Sequence, residues 1–122
     1  MLNNSEFCKH FEEELFSSEA LPFEEARKTY KNNGVYSIYY NDELIYIGSA
    51  KHISDRLVHH KNRNGSALLE KIESNTNQDA LSILQNSMFK CVEVPFGRSE
   101  LEEHLIKKFN PTYNNYKRKV KP

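Results

Sequence analysis

Residues 34–48 read GVYSIYYNDELIYIG, the part of the chain with the clearest pattern of secondary structure. Two runs of β-branched and aromatic residues, 35–40 and 44–47, flank the turn-forming pair Asn41-Asp42. Runs of this composition favour strands, and two of them joined by a short polar pair predict a β-hairpin. A glycine borders each run, Gly34 before the first and Gly48 after the second. The sequence therefore predicts an antiparallel pair of strands, around which the other elements are arranged.

Patterns on either side of the hairpin predict helices and a further strand. Apolar residues at helical spacing, together with capping residues, predict helices over about 5–16, 22–30, 53–61, 66–74 and 99–109. Residues 88–94 predict a third strand that ends at Pro95, because proline lacks the amide hydrogen of a ladder. Ser99, followed three residues later by Glu102, matches a capping box at the last helix. The order of elements predicts an α+β fold with a small, mainly antiparallel three-stranded sheet flanked by helices.

The formal charge is distributed unevenly along the chain. The 122 residues include 17 basic and 17 acidic side chains, so the net charge is zero. Residues 1–33 carry seven acids and four bases, whereas residues 104–122 carry six bases and no acid. A neutral total argues against a polyanionic partner, but a basic end of the chain indicates one. A solvated, frayed terminus explains the same charges, so charge alone leaves both interpretations open.

Other features of the composition exclude some classes of protein. No apolar run reaches the ~18 residues that a transmembrane helix requires, and the N-terminus has no secretory signal pattern. The two cysteines, Cys8 and Cys91, lie 83 positions apart and indicate reduced thiols. We therefore expect a cytoplasmic protein with one domain of ordinary size and no membrane partner.

Residues suited to phosphate chemistry follow the hairpin. Arg56 and His60 are four residues apart, so they lie on the same face of the helix predicted over 53–61. A guanidinium group binds phosphate oxygens through a planar fork. A single carboxylate such as that of Glu102 can hold one Mg²⁺, which keeps most of its waters. Tyrosine, with a pKa of about 10, is a poor base at neutral pH unless a nearby cation favours its phenolate.

The order of these residues resembles that of the GIY-YIG nuclease superfamily, which includes the nuclease domains of homing endonucleases, UvrC-type repair nucleases and restriction enzymes. The resemblance spans residues 34–114. Its elements are Gly34-Val35-Tyr36, Tyr46-Ile47-Gly48 continued by Ser49-Ala50-Lys51, Asp55-Arg56-Leu57 with His59-His60, the glutamate helix 101–107 and the closing segment Asn110-Pro111-Thr112-Tyr113-Asn114. Each element alone is a weak signal, whereas all of them in this order form a strong one.

The resemblance implies a metal-dependent DNA endonuclease that hydrolyses phosphodiester bonds to 5′-phosphate and 3′-hydroxyl ends. The catalytic residues that it implies are Tyr36, Tyr46, Arg56, His60, Glu102 and Asn114. Glu102 is expected to bind one divalent cation, Mg²⁺ or Mn²⁺. Tyr36 is expected to act as the general base or to position it, and Tyr46 to hold the phosphate or the water. Asn114 is expected either to contact the metal site or to tie down the end of the chain. Further contacts with DNA are expected from Lys51, His59, Lys117, Arg118 and Lys119.

The resemblance also divides the chain and leaves several roles open. The divisions are an N-terminal helical extension (1–33), a GIY-YIG-like nuclease domain (34–116) and a basic tail (117–122). One active site cuts one strand, so double-strand cleavage requires a homodimer or successive nicks. The open roles are restriction or mobile-element cleavage, structure-specific incision in repair, and DNA binding without cleavage. An adaptor built on the acidic residues 1–33 is a weaker alternative.

The register of the hairpin tests whether Tyr36 and Tyr46 can belong to one site. Side chains alternate between the two faces of a sheet, so the turn decides which residues share a face. A regular two-residue loop at Asn41-Asp42 pairs Tyr36 with Ile47 and places Tyr46 on the opposite face. A joint site therefore predicts a loop of odd length or a β-bulge in the hairpin.

Overall fold

The structure is a computed structural model that describes residues 4–61, 67–75 and 79–114. Helices and strands follow one another in the order α1 (Asn4–Ser17), β1 (Leu21–Pro22), α2 (Phe23–Thr29), β2 (Gly34–Tyr40), β3 (Glu43–Ala50), α3 (Ile53–Lys61), α4 (Ala67–Asn75), α5 (Ala80–Gln85), β4 (Met88–Glu93) and α6 (Arg98–Phe109). The α+β class and the predicted helices and strands are confirmed, whereas β1 and α5 were not predicted. Asp79 begins α5, because its side chain accepts a hydrogen bond from the amide of Leu81.

The sheet has four strands in the order β1-β4-β2-β3, and all neighbouring strands are antiparallel. The prediction of three strands was therefore wrong. Leu21 and Pro22 pair with Phe89 and Met88 and add a fourth strand at the edge of β4. A strand of two residues shows no alternation in the sequence, and its proline is tolerated because it lies at an edge.

Helices cover both faces of the sheet. One face carries Tyr36, Ile38 and Phe89 and packs against α2, α3, α4 and α5; we call it the α3 face. The opposite face carries Val35 and Ile47 and packs against α1 and α6; we call it the α6 face. Each face forms its own cluster of buried apolar side chains, so the sheet divides the core into two parts.

Helix α1 contributes to the core of the α6 face. Its residues Phe7, Cys8 and Leu15 are buried in the same cluster as Leu101 of α6. Its Glu12 accepts hydrogen bonds from Nε2 of His104 at 3.0 Å and from Nζ of Lys108 at 2.8 Å. The first helix is thus held to α6 by both apolar packing and charged hydrogen bonds.

Cys8 and Cys91 are free thiols, buried on opposite faces of the sheet. Across the described ranges of the chain, every helix is too short or too polar to span a bilayer.

A tight turn joins β2 to β3. Asn41 and Asp42 have φ angles of 53° and 65°, the left-handed conformation that a two-residue hairpin turn requires. Tyr40 pairs with Glu43 directly across this turn. Taken alone, such a turn would place Tyr46 on the α6 face.

A β-bulge in the hairpin changes that outcome. The register shifts after the first pairs, so that Ile38 lies opposite Tyr46 and Tyr36 lies opposite Gly48. The extra residue in β3 lets Ile45 and Tyr46 both pack against the cluster of the α3 face. The predicted bulge is confirmed, and Tyr36 and Tyr46 share one face.

Helix α6 begins differently from the prediction. Gly97, with a φ of 78°, is the N-cap residue, and no side chain forms a capping hydrogen bond there. The predicted capping box was therefore wrong, because Ser99 already lies inside the helix. The helix ends at Asn110, which has a φ of 49° and is followed by Pro111.

Candidate active site

The first part of the candidate site is a buried tyrosine–histidine pair on the α3 face. Tyr36 on β2 is fully buried, and its hydroxyl oxygen lies 2.6 Å from Nε2 of His60 on α3. His60 is itself only 4% exposed. Ile53 and Leu57 pack into the core at helical spacing from His60, which turns the imidazole toward the sheet.

Tyr46 completes an aromatic cluster around this pair. The ring centroids are 6.3 Å apart for Tyr36 and Tyr46, 5.8 Å for Tyr36 and His60, and 5.6 Å for Tyr46 and His60. Tyr46 is half-buried, whereas the other two side chains are buried. Tyr46 is therefore the member of the cluster that reaches solvent.

Burial determines the protonation of the pair. It raises the pKa of Tyr36 well above the ordinary 10.0; Tyr46 adds to this rise, and the charge of Arg56 offsets only part of it. Burial also lowers the pKa of His60 from 6.5 to about 3, with contributions from Arg56 and His59. Both groups are therefore neutral at pH 7. The Tyr36 hydroxyl donates to Nε2 when His60 carries its own proton on Nδ1.

The glycines of the two motifs allow close approaches. A Cβ atom on Gly48 would lie 2.4 Å from the hydroxyl oxygen of Tyr36 and 2.5 Å from its Cζ. A Cβ atom on Gly34 would lie 2.1 Å from the carbonyl oxygen of Val92. Gly48 therefore makes room for the phenol of Tyr36, and Gly34 makes room for the backbone of β4.

A carboxylate reaches the site from α6. Oε1 of Glu102 accepts a hydrogen bond of 2.7 Å from Oγ of Ser49, the residue that follows Gly48 on the edge strand β3. Glu102 also raises the pKa of Tyr36, so the carboxylate lies within electrostatic reach of the phenol. The candidate site is therefore at Gly48-Ser49, where Tyr36 approaches the edge strand from one face and Glu102 from the other.

Sequence reasoning assigned no role to Ser49. The signal that identifies it is the alternation of β3, since a residue next to Gly48 faces away from Tyr36 and toward α6. The predicted capping box gave Glu102 a partner within its own helix, which concealed this contact.

Two basic residues of α3, Arg56 and His59, lie close enough to the pair to affect the pKa of His60. Arg56, His59 and Lys51 are exposed, and Arg56 lies one turn before His60 on α3. The rings of His59 and His60 have centroids 6.2 Å apart. The remaining residues expected to bind DNA, Lys117, Arg118 and Lys119, lie outside the described residues.

Asn114 binds the exposed edge of β3. Its Oδ1 accepts from the amide of Ile47 at 2.7 Å, and its Nδ2 donates to the carbonyl of Ile47 at 2.9 Å. The amide of Tyr113 donates to the carbonyl of Ile45 at 2.8 Å. Of the two roles expected for Asn114, these bonds support the one in which it anchors the end of the chain. The anchoring point is Ile47, which lies between Tyr46 and Gly48 on β3.

The donor groups at this site suit one hydrated divalent cation. Within residues 4–61, 67–75 and 79–114, no group of three or more His, Cys, Asp or Glu side chains could hold a metal ion. Across the same ranges, the hydrogen bond from Ser49 engages Oε1 of Glu102, and none engages Oε2. Mg²⁺ commonly takes one or two protein carboxylates and keeps several waters. Glu102 therefore fits Mg²⁺ or Mn²⁺ as a single protein ligand.

Known proteins share this arrangement of sequence and fold. Residues 32–117 match the family described as the GIY-YIG catalytic domain. UvrABC system protein C of Fusobacterium nucleatum is 29% identical over 84 residues, which are 69% of this chain and 13% of that protein. The protein of the same name from Rickettsia akari is 33% identical over 85 residues, covering 66% of this chain and 11% of that protein. The chain thus spans roughly one eighth of the length of these relatives.

A solved structure shows the same fold. The GIY-YIG N-terminal endonuclease domain of UvrC from Thermotoga maritima, bound to its catalytic magnesium, matches with a TM-score of 0.51 and 25% identity. The match covers 75% of this chain and 94% of that domain. The chain belongs to the GIY-YIG catalytic domain family, a family of endonucleases.

Proposed function

We propose that this chain is a metal-dependent DNA endonuclease that hydrolyses phosphodiester bonds and leaves 5′-phosphate and 3′-hydroxyl ends. The observation that carries the proposal is the 2.6 Å hydrogen bond between the buried hydroxyl of Tyr36 and His60, with the carboxylate of Glu102 held by Ser49 on the same edge strand that carries Gly48. A phenol and an imidazole buried together form a proton-transfer pair, and a carboxylate supplies a ligand for a cation. The magnesium bound by the Thermotoga maritima domain supports the same assignment.

Tyr36 and His60 move the proton of the attacking water as a pair. Burial keeps Tyr36 protonated, so Arg56 alone does not make it the phenolate that a simple general base requires. The Tyr36 oxygen instead accepts the water proton while its own proton passes to Nε2 of His60. The negative phosphate of a bound substrate raises the pKa of His60, which makes the imidazole a better acceptor when DNA is present.

The displacement at phosphorus uses the exposed groups around the pair. The water oxygen forms a bond to phosphorus while the bond from phosphorus to O3′ breaks, and O3′ takes up a proton from solvent. Arg56, which is exposed beside the pair, binds a phosphate oxygen and stabilises the charge that develops there. Tyr46, at the solvent side of the cluster, holds the phosphate or the water.

Glu102 and Asn114 have supporting roles. Glu102 would hold the cation through its carboxylate, and a bound Mg²⁺ or Mn²⁺ supplies charge neutralisation at the phosphate. Asn114 keeps the edge of β3 in place through its two bonds to Ile47. The exposed Lys51 and His59 contact the DNA backbone, as do Lys117, Arg118 and Lys119.

A cleavage assay tests this function. Supercoiled plasmid is incubated with Mg²⁺ or Mn²⁺ and with wild type, Glu102→Gln or Glu103→Gln protein. Glu103 is the matched control, because it is the next residue of α6 and is exposed, 3.5 Å from Lys107. We expect wild type and Glu103→Gln to nick the plasmid and Glu102→Gln to be ~10²–10³-fold slower. Nicks that DNA ligase seals would carry the expected 5′-phosphate and 3′-hydroxyl ends.

Two outcomes contradict the proposal. DNA binding by wild type without cleavage in either metal would support a binding module that no longer cuts. Equal rates for Glu102→Gln and wild type would remove Glu102 from the site.

Structure-specific incision is a second candidate role, favoured by the similarity to UvrABC system protein C. The first candidate role is restriction or mobile-element cleavage. Cleavage of a branched or damaged duplex at least about tenfold faster than of an intact duplex would support incision, and cleavage of intact duplex at a defined sequence would support the first role.

A further inference from the structure

We propose that Ser49 is a positioning residue that presents Glu102 to the divalent cation through a single oxygen and so favours Mg²⁺ over Ca²⁺. The inference rests on the proposed function, because it takes Glu102 as the cation ligand. The resemblance includes Ser49 in the segment Ser49-Ala50-Lys51 that continues the second motif, but it implies no role for this serine.

The contact joins two elements that are distant in the sequence. Oγ of Ser49 donates to Oε1 of Glu102 at 2.7 Å across a separation of 53 residues. Ser49 lies opposite Val35 in the ladder, so its side chain is on the α6 face. Both side chains are half-buried, which shields the bond from competing water.

The backbone around Glu102 is already held in place. Leu101 and Leu105, on either side of Glu102 in α6, are fully buried in the cluster of the α6 face. The remaining freedom of Glu102 is rotation of its side chain. The hydrogen bond from Ser49 fixes that rotation and directs Oε1 toward the strand.

The chemistry of the two cations then differs at this carboxylate. The hydrogen bond to Oε1 uses one lone pair of that oxygen and draws electron density from it, so Oε2 is the stronger ligand for a cation. Mg²⁺ is small, demands octahedral geometry and keeps its waters, so one carboxylate oxygen suffices. Ca²⁺ is larger and commonly takes both oxygens of a carboxylate. A carboxylate held by Ser49 therefore suits Mg²⁺ better than Ca²⁺.

Titration of the full chain with Mg²⁺ and with Ca²⁺, followed by NMR at the amide signals of Gly48, residue 49 and Glu102, tests the inference. Ser49→Ala should weaken Mg²⁺ binding by ~10–100-fold, the usual effect of removing a partner of a metal ligand. Ca²⁺ binding should change much less, so that the preference for Mg²⁺ falls. Ser49→Thr keeps a hydroxyl group and should retain most of the Mg²⁺ affinity.

Two further variants control for folding and for loss of a hydroxyl group. Ser18→Ala removes another half-buried hydroxyl, which donates at 2.7 Å to the carbonyl of Leu15, and should leave both affinities unchanged. If Ser49→Ala does not fold, Ser49→Val and Ser49→Thr are compared instead. Their side chains have nearly the same shape, and only threonine carries a hydroxyl group.

The results separate this inference from the proposed function. Wild-type affinities for both ions in Ser49→Ala and Ser49→Val, with Mg²⁺ binding lost in Glu102→Gln, would overturn the role of Ser49 and leave the metal site intact. Unchanged Mg²⁺ binding in Glu102→Gln would show that Glu102 is not the ligand, and both proposals would then be wrong.

Discussion

The two faces of the sheet bury different kinds of polar group. On the α6 face, the buried hydroxyl of Ser37 contacts Tyr39 and the backbone carbonyl of Lys90, and the surrounding cluster is apolar. On the α3 face, two titratable side chains, Tyr36 and His60, are buried against each other. A buried imidazole whose pKa is lowered to about 3 is a costly replacement for an aliphatic side chain.

This difference agrees with the proposed division of catalytic roles between the two faces. The α6 face stabilises the fold and contributes one functional group, the carboxylate of Glu102, at its border. In the proposed mechanism the α3 face contributes the proton-transfer pair, whose burial costs stability. The two contributions meet at Gly48-Ser49, where one residue makes room for Tyr36 and the next contacts Glu102.

The largest effect is expected from removing the phenol oxygen on the α3 face. Tyr36→Phe should lower the rate of cleavage by ~10²–10⁴-fold, the range for loss of a general acid–base group. Tyr39→Phe is the matched control, because it also removes a tyrosine hydroxyl from β2. Among the described residues, that hydroxyl has one hydrogen bond, from the Ser37 hydroxyl at 3.1 Å. Single-turnover rates at saturating protein measure both; similar losses in the two variants would contradict the division between the faces.

A smaller effect is expected from adding a methyl group beside that oxygen. Gly48→Ala places a Cβ atom 2.4 Å from the Tyr36 hydroxyl, so the phenol must move, and we expect a loss of ~10²-fold in cleavage rate.

Gly34→Ala is the control for Gly48→Ala. Its Cβ atom meets the backbone of Val92, so it should mainly lower the free energy of unfolding, by about 1–3 kcal/mol. Urea unfolding and cleavage rates of both variants show whether Gly48 mainly affects catalysis and Gly34 mainly affects stability. A Gly48→Ala protein with a wild-type rate would show that the position of Tyr36 is unimportant.

The smallest effect concerns stability in acid. The pKa of His60 is about 3 in the native protein and 6.5 in the unfolded chain, so between these pH values only the unfolded chain binds the proton. The contribution of neutral His60 is fully present above pH 6.5 and is lost as the pH falls. Protonation of His60 in the unfolded chain should therefore make the free energy of unfolding about 2 kcal/mol lower at pH 5 than at pH 7.

Urea unfolding of wild type and His60→Gln at pH 7 and pH 5 measures this loss. The variant lacks the titrating imidazole, so its stability should change less between the two pH values. Equal changes in the two proteins would show that His60 is not held neutral by burial.

Much of the fold could be predicted from the hairpin sequence, because strand-forming runs, a turn pair and bordering glycines are local signals. The bulge could also be predicted, since only an altered register brings Tyr36 and Tyr46 to one face. Strand β1 could not, because a pair of residues carries no periodic pattern. The partner of Glu102 could not either: Ser99 lies near it in the sequence, whereas Ser49 is 53 positions away and is brought close by packing alone.

A double-mutant cycle tests most directly whether the two faces of the sheet supply one catalytic site. Single-turnover cleavage is measured for wild type, Tyr36→Phe, Glu102→Gln and the double variant. Residues that act as one unit have strongly non-additive effects. We predict that the double variant is about as slow as the slower single variant. A double variant whose loss is the product of the two single losses would contradict a joint site.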